Sequence, residues 1–266
     1  MQGIAFMRDR SSWIVRPSDD FEPLMSLFCF PYAGVGPSVY SGWAEQLRPS
    51  GVKVFLIQLP GRESRLREDP ICTMGEIAGA AAGAIAPLVT GPFAFYGHSL
   101  GAKIAFETAR EMRRRSGNAP DHLFVSASIA PHLPWPYAPM HRLPGEELLR
   151  EVQHRYGGIP EPVLRERDLL DLLLPGLRAD LTVLETYSYI AQPPLHSAIT
   201  AFGGIYDRSV TEASLLAWRV LTQSAFAIRM LPGDHFFLHS ERMTLIKTIA
   251  KAAAALETPA SLAAVE

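Results

Sequence analysis

The chain has 266 residues and a formal net charge of −2, with 48% of residues hydrophobic and 20% charged. That length suffices for one well-filled core, so a single domain over residues 1–266 is expected. The near-neutral balance removes the electrostatic case for nucleic-acid binding. Residues 1–21 read as an N-terminal extension whose charges, among them Arg8, Arg10 and Asp19, interrupt any signal-like apolar core. No run approaches the roughly 20 apolar residues of a membrane helix, so no membrane partner and a cytoplasmic location are expected. Cys29, in an apolar run, and Cys72 are the only cysteines, which suits a reduced compartment.

In chain order, short apolar runs alternate with helical patterns. Strands are predicted over 24–30, 52–58, 93–96, 123–127, 198–202 and 226–231, and helices over 74–88, 100–115, 215–222 and 245–256. Alternation of this kind gives a mostly parallel sheet covered by helices. Residues 131–189 break it: the segment opens with Pro131, Pro134, Pro136, Pro139 and Pro144, then shows leucines at helical spacing. It is expected to be a helical insertion acting as a lid, with a second domain as the alternative. Residues 258–266 read as a flexible tail. Arg113, Arg114 and Arg115 read as a solvated helix end.

Gly97-His98-Ser99-Leu100-Gly101 sits between the strand ending near Tyr96 and the helix that follows. That is the setting of a nucleophile elbow, in which glycines two residues either side of a serine relieve crowding at a strained turn. Elbow and alternation together point to the α/β-hydrolase fold, a mostly parallel central sheet flanked by helices with a helical lid insertion. A serine hydroxyl needs a base, and His235 follows the last predicted strand and precedes the final helix, where this fold places it. His239 is the nearest rival. His98 is expected to point away from Ser99, while His122, His132, His141, His154 and His196 read as surface or lid residues. Asp207, after the strand ending at Phe202, is the expected orienting acid; Asp234 and Asp180 are less well placed. Oxyanion donors are expected from the backbone N–H of Leu100 and of Ala33, with Tyr32 the alternative in the same loop.

Taken together these segments resemble the type II thioesterases that accompany polyketide synthases and nonribosomal peptide synthetases. The resemblance rests on Phe30-Pro31-Tyr32-Ala33-Gly34, Leu59-Pro60-Gly61-Arg62-Glu63, the elbow through Ala102, Leu174-Pro175-Gly176-Leu177-Arg178-Ala179-Asp180, and Gly233-Asp234-His235-Phe236-Phe237. Tyr187-Ser188-Tyr189 before Pro193-Pro194, and Trp218 after Asp207, match as well; Asp234 stands where the family usually has glycine. The resemblance implies hydrolysis of acyl thioesters on the phosphopantetheine arm of acyl or peptidyl carrier proteins, clearing stalled or aberrant acyl groups. It implies no metal and no cofactor of the enzyme's own, since the substrate carries the phosphopantetheine. Tyr32, Trp135, Phe236 and Phe237 are candidate walls of an acyl channel, although most lid leucines are expected to pack the lid. Arg62, Arg65 and Arg67 are candidates for docking an acidic carrier protein, with a solvated basic loop the alternative. Two other readings stay open: a carboxylesterase or lipase acting on oxygen esters, and a non-catalytic relative that binds a small apolar ligand.

Overall fold

The computed structural model describes residues 10–16, 21–159 and 166–257. The expected tail at 258–266 and most of the N-terminal extension lie outside the described residues. Seven strands form one sheet: β1 (Ile14–Val15), β2 (Met25–Phe30), β3 (Val52–Ile57), β4 (Phe93–His98), β5 (His122–Ser126), β6 (Ala198–Gly204) and β7 (Phe226–Leu231). Their order is β1-β3-β2-β4-β5-β6-β7, with β1 antiparallel to β3 and every other pairing parallel. The short edge strand β1, preceded by the buried Trp13, was not predicted, because two residues carry no period of their own.

The central strands read as unbroken apolar runs because both faces of the sheet are covered. In β2, Phe28 and Phe30 enter one core while Met25, Leu27 and Cys29 enter the other. In β3, Phe55 and Ile57 take the first side and Val52, Val54 and Leu56 the second. The two-residue period of the strand therefore sorts one sequence into two cores. The first core receives α2 (Met74–Ile85) and α3 (Leu100–Ser116), which pack on each other; the second receives α1 (Trp43–Leu47) and α8 (Arg242–Glu257). Thr73 starts α2 by accepting the Glu76 backbone N–H while its hydroxyl donates to the Glu76 carboxylate.

Some predicted boundaries move. The first predicted helix is α-helical only to Ile85 and ends in a 3-10 turn over Ala86–Leu88, which contains Pro87. The helix predicted over 215–222 is instead α6 (Glu212–Leu216), capped by Thr211, followed by a 3-10 turn over Ala217–Leu221. The last helix begins at Arg242, ahead of its predicted start, after the short α7 (Phe237–Ser240). Between β5 and β6 the chain carries α4 (Gly145–Arg155) and α5 (Arg167–Thr186), with no strand among the described residues of that stretch. No helix among the described residues is long and apolar enough to cross a membrane.

Chain direction reverses its spread between β2 and β4, where sequence neighbours diverge to opposite sides of the sheet. Loops leaving the carboxyl ends of strands open a crevice at such a switch point. The loops after β2, β4, β5, β6 and β7 all emerge there, and the candidate residues lie on them.

Candidate active site

Ser99 follows β4 directly and caps α3 with φ +53° and ψ −116°, a conformation rare for a residue with a side chain. Its backbone N–H donates to Ser126 O at 2.7 Å. The flanking glycines are required by contact with backbone. A Cβ on Gly97 would stand 2.3 Å from Gly101 O, and one on Gly101 would stand 2.2 Å from Phe30 O. The elbow is thus wedged against the end of β2, which is why the serine cannot relax out of its strained turn.

His235 and Asp207, far apart in sequence, meet Ser99 here. His235 Nε2 lies 3.0 Å from Ser99 Oγ, and its Nδ1 lies 2.8 Å from Asp207 Oδ2. The carboxylate can only accept, so Nδ1 carries the proton and Nε2 is left as the acceptor facing the serine hydroxyl. The other Asp207 oxygen accepts from Ser209 Oγ at 2.6 Å, Ser209 N at 2.8 Å and Val210 N at 3.2 Å. Burial pushes the Asp207 carboxyl up, but the hydrogen bonds and charge of His235 and the bonds from Ser209 outweigh it and hold the pKa below its ordinary value. Asp207 is therefore an anion fixed on both oxygens, aimed at one imidazole tautomer.

Beneath His235 lies His98, fully buried. It points away from Ser99, as expected, and clamps the loop of the other histidine: its Nε2 lies 2.9 Å from His235 O and its Nδ1 2.9 Å from Ser126 Oγ. A backbone carbonyl only accepts, so His98 donates from Nε2 and takes the serine proton at Nδ1. Burial, followed by the neighbouring His235, drives its pKa well below the ordinary value, which keeps it neutral in that role. Asp234 accepts the Phe236 N–H at 2.8 Å, turning the loop without touching the His235 ring. His239, the rival base, meets the Tyr32 hydroxyl at 3.3 Å instead.

Ala33 and Ser99 border one small cavity, of about 40 Å³, with Tyr32, Leu177, Tyr156 and Phe236. Leu100 opens α3, so its N–H is one of those a helix leaves without an internal acceptor. The loop carrying Ala33 is held from the insertion. Gly34 N donates to Asp180 Oδ2 at 2.7 Å, and the same oxygen takes Arg62 Nη1 at 2.5 Å. Asp180 and Arg62 are both buried. Gly176 lets α5 come close: a Cβ there would lie 2.9 Å from Gly61 O.

A second cavity, of about 20 Å³, also borders Ser99 and His235. Trp135, Tyr156 and Lys103 line it. Of the four candidate wall residues, Tyr32, Trp135 and Phe236 border these cavities, whereas Phe237 does not. Phe237 is fully buried in the second core, its ring 5.6 Å from that of His98. It opens α7, and that turn of helix faces it inward while Phe236 faces the site.

The docking expectation for Arg62 and Arg65 is corrected as well. Arg62 pairs with Asp180, and Arg65 pairs with Glu68 at 2.6 Å and donates to Gln58 O at 3.0 Å. Both are buried, and only Arg67 of the three is exposed. His122 is not a surface or lid residue either: it lies on β5, stacked on Phe124 at 4.1 Å and 2.9 Å from Thr200 Oγ1.

The sequence pattern that defines the thioesterase domain family matches residues 25–253. The chain belongs to this family. It is a hydrolase acting on thioesters, and its resemblance to the type II thioesterases is borne out by its relatives. The gramicidin S biosynthesis protein GrsT of Aneurinibacillus migulanus is 41% identical over 248 residues, 93% of this chain and 96% of that protein. The structure is similar to the type II thioesterase BorB from the borrelidin biosynthetic cluster, at TM-score 0.82, 31% identity and coverage of 91% and 97% of the two chains. It is also similar to the RedJ thioesterase of the prodiginine pathway in Streptomyces coelicolor, at TM-score 0.80 and 40% identity, covering 92% and 99%. The fold is that of the α/β hydrolases.

Sequence reasoning about this thioesterase missed the parts played by four residues at the site. Ser209 and Tyr156 carry no motif; Tyr156 ends α4 and sets its ring 4.9 Å from that of His235. Asp180 and Lys103 stand inside stretches singled out for other reasons, and an acid or a lysine in an otherwise apolar helical face was the available signal.

Proposed function

We propose that this chain hydrolyses acyl thioesters held on the phosphopantetheine arm of acyl or peptidyl carrier proteins, removing stalled or aberrant acyl groups during polyketide or nonribosomal peptide synthesis. The observation that carries the chemistry is the unbroken hydrogen-bonded row from Ser99 through His235 to Asp207. Ser99 Oγ attacks the thioester carbonyl while His235 Nε2 takes its proton. The oxyanion formed is met by the backbone N–H groups of Leu100 and Ala33. Collapse breaks the carbon–sulfur bond, and the thiolate leaves with the proton returned by His235. Water then adds to the acyl-serine, gives its proton to His235, and releases the free acid as Ser99 recovers its hydrogen. Asp207 keeps Nδ1 protonated throughout and steadies the imidazolium. Only these side chains, two backbone donors and water take part.

The carrier-bound substrate is supported by relatives named for gramicidin S, borrelidin and prodiginine biosynthesis. An acylated carrier protein incubated with the enzyme is expected to lose its acyl group, and Ser99→Ala to slow this by about 10⁴-fold or more. Faster turnover of the matching oxygen ester than of the carrier thioester would overturn the substrate assignment, and activity retained by Ser99→Ala would overturn the triad.

A further inference from the structure

Lys103 stands four residues beyond Ser99 on α3 and is only 3% exposed. A buried ammonium ordinarily has an anionic partner. Among the described residues no carboxylate pairs with this one. Glu107, one turn further on, is taken by Arg110 at 2.6 Å and by the Tyr187 hydroxyl. Lys103 Nζ lies instead 5.4 Å from the ring centres of both Trp135 and Tyr187. The two π faces favour the cation, and among the described residues no oxygen accepts from it. Burial pushes the pKa down to about 8, so the group is still mainly charged at neutral pH.

The cavity supplies an independent observation. Lys103 borders the same space, of about 20 Å³, as Ser99 and His235. Trp135, on its wall, has its indole Nε1–H buried without an acceptor. Ser99, Lys103 and Trp135 therefore border one small volume, roughly that of one or two waters. An acyl group placed there needs an oxygen-rich end close to its reacting carbonyl. A hydrocarbon chain would instead bury apolar atoms against an ammonium that has no carboxylate partner among the described residues.

We propose that Lys103 is a specificity-determining residue that selects short acyl thioesters ending in a carboxylate, the half-thioesters of small dicarboxylic acids such as malonate. The carboxylate pairs with the ammonium and accepts from the Trp135 indole while Ser99 attacks the thioester carbonyl. The acylation and hydrolysis steps are those given above, and the products are the free diacid and the carrier thiol. This inference rests on the Ser99–His235–Asp207 reading.

The test compares carrier-bound malonyl with carrier-bound 3-methylbutyryl, which has the same shape with methyl groups in place of the carboxylate oxygens. For the wild-type enzyme kcat/KM is expected to favour malonyl by about ten- to hundredfold. Lys103→Met, which keeps the length and removes the charge, is expected to invert that ratio. Equal handling of the two substrates, or a ratio that Lys103→Met leaves unmoved while turnover still depends on Ser99, overturns the inference alone. Absence of Ser99-dependent turnover of either substrate overturns the catalytic reading and the inference with it.

Discussion

At Ser99 the positive φ is enforced by two neighbours that lack side chains, and that pressure was legible from five consecutive residues. The glycines of the elbow face backbone oxygens of β2 and of the helix itself, which have nowhere to retreat. Gly101→Ala is accordingly expected to destabilise the fold by about 3 kcal/mol, read from urea midpoints. The same local logic found His235 and Asp207, because strand ends mark where loops deliver side chains. It did not find His98 as a clamp on the His235 loop, nor Ser209 as a donor to Asp207. The first depends on a contact between residues 137 apart in sequence; the second is made within one turn, two residues along the chain, and no motif marks it. Lys103 escaped for a different reason: helical spacing assigns a face to a residue but says nothing of the cavity on the other side.

At the scale of elements, α5 does more than cover the site. Its Asp180 uses one oxygen to hold both Arg62 and the N–H beside Ala33, so a helix of the insertion fixes the loop that carries the proposed oxyanion donor. Asp180→Ala leaves the Arg62 guanidinium buried with the Pro60 carbonyl but no anion to meet it, expected to cost about 3–5 kcal/mol in denaturant unfolding. With the loop released, kcat on an acyl-carrier substrate is expected to fall by about 10²-fold at temperatures where the variant stays folded. Asp180→Asn, which keeps an acceptor for Gly34, is expected to recover part of the rate. Arg62 and Asp180 are 118 residues apart, and nothing in either local pattern announces the pair. The insertion itself was legible, since proline density and the loss of strand signals marked where the sheet was interrupted. The composite helix at 212–221 was not, because a capped turn of α-helix and a 3-10 turn share the same apolar spacing.

For the molecule as a whole, the parallel sheet has two apolar sides, and the polar groups buried with it set the acid limit of stability. Burial pushes the His122 pKa down to about 4, and His98 is shifted in the same direction. The unfolded chain binds these protons near the ordinary histidine pKa of about 6.5. From there down to about pH 4 the unfolded state takes up the proton first, so stability falls as pH falls. For His122 alone the loss by pH 4.5 is about 2.5 kcal/mol. Urea midpoints measured between pH 7 and 4.5 are expected to drop, and His122→Leu to flatten that drop.

Pro175 divides α5 at the point where its burial changes. Residues 166–173 are largely exposed, whereas Ala179, Asp180 and Leu181 are packed and ion-paired. The helix is therefore bolted down along its second half, like a door whose frame cannot swing, while its first is held by an exposed ion pair from Arg167 to Glu146 and by Leu174. Passage to Ser99 is expected to move the first half of α5, pivoting where proline has already removed a hydrogen bond of the helix, while α4 stays anchored by Leu148 and Val152 in the first core. Amide hydrogen exchange is expected to separate the halves, with 167–174 exchanging well before 179–186. Uniform protection along α5 would overturn this division of the helix at Pro175.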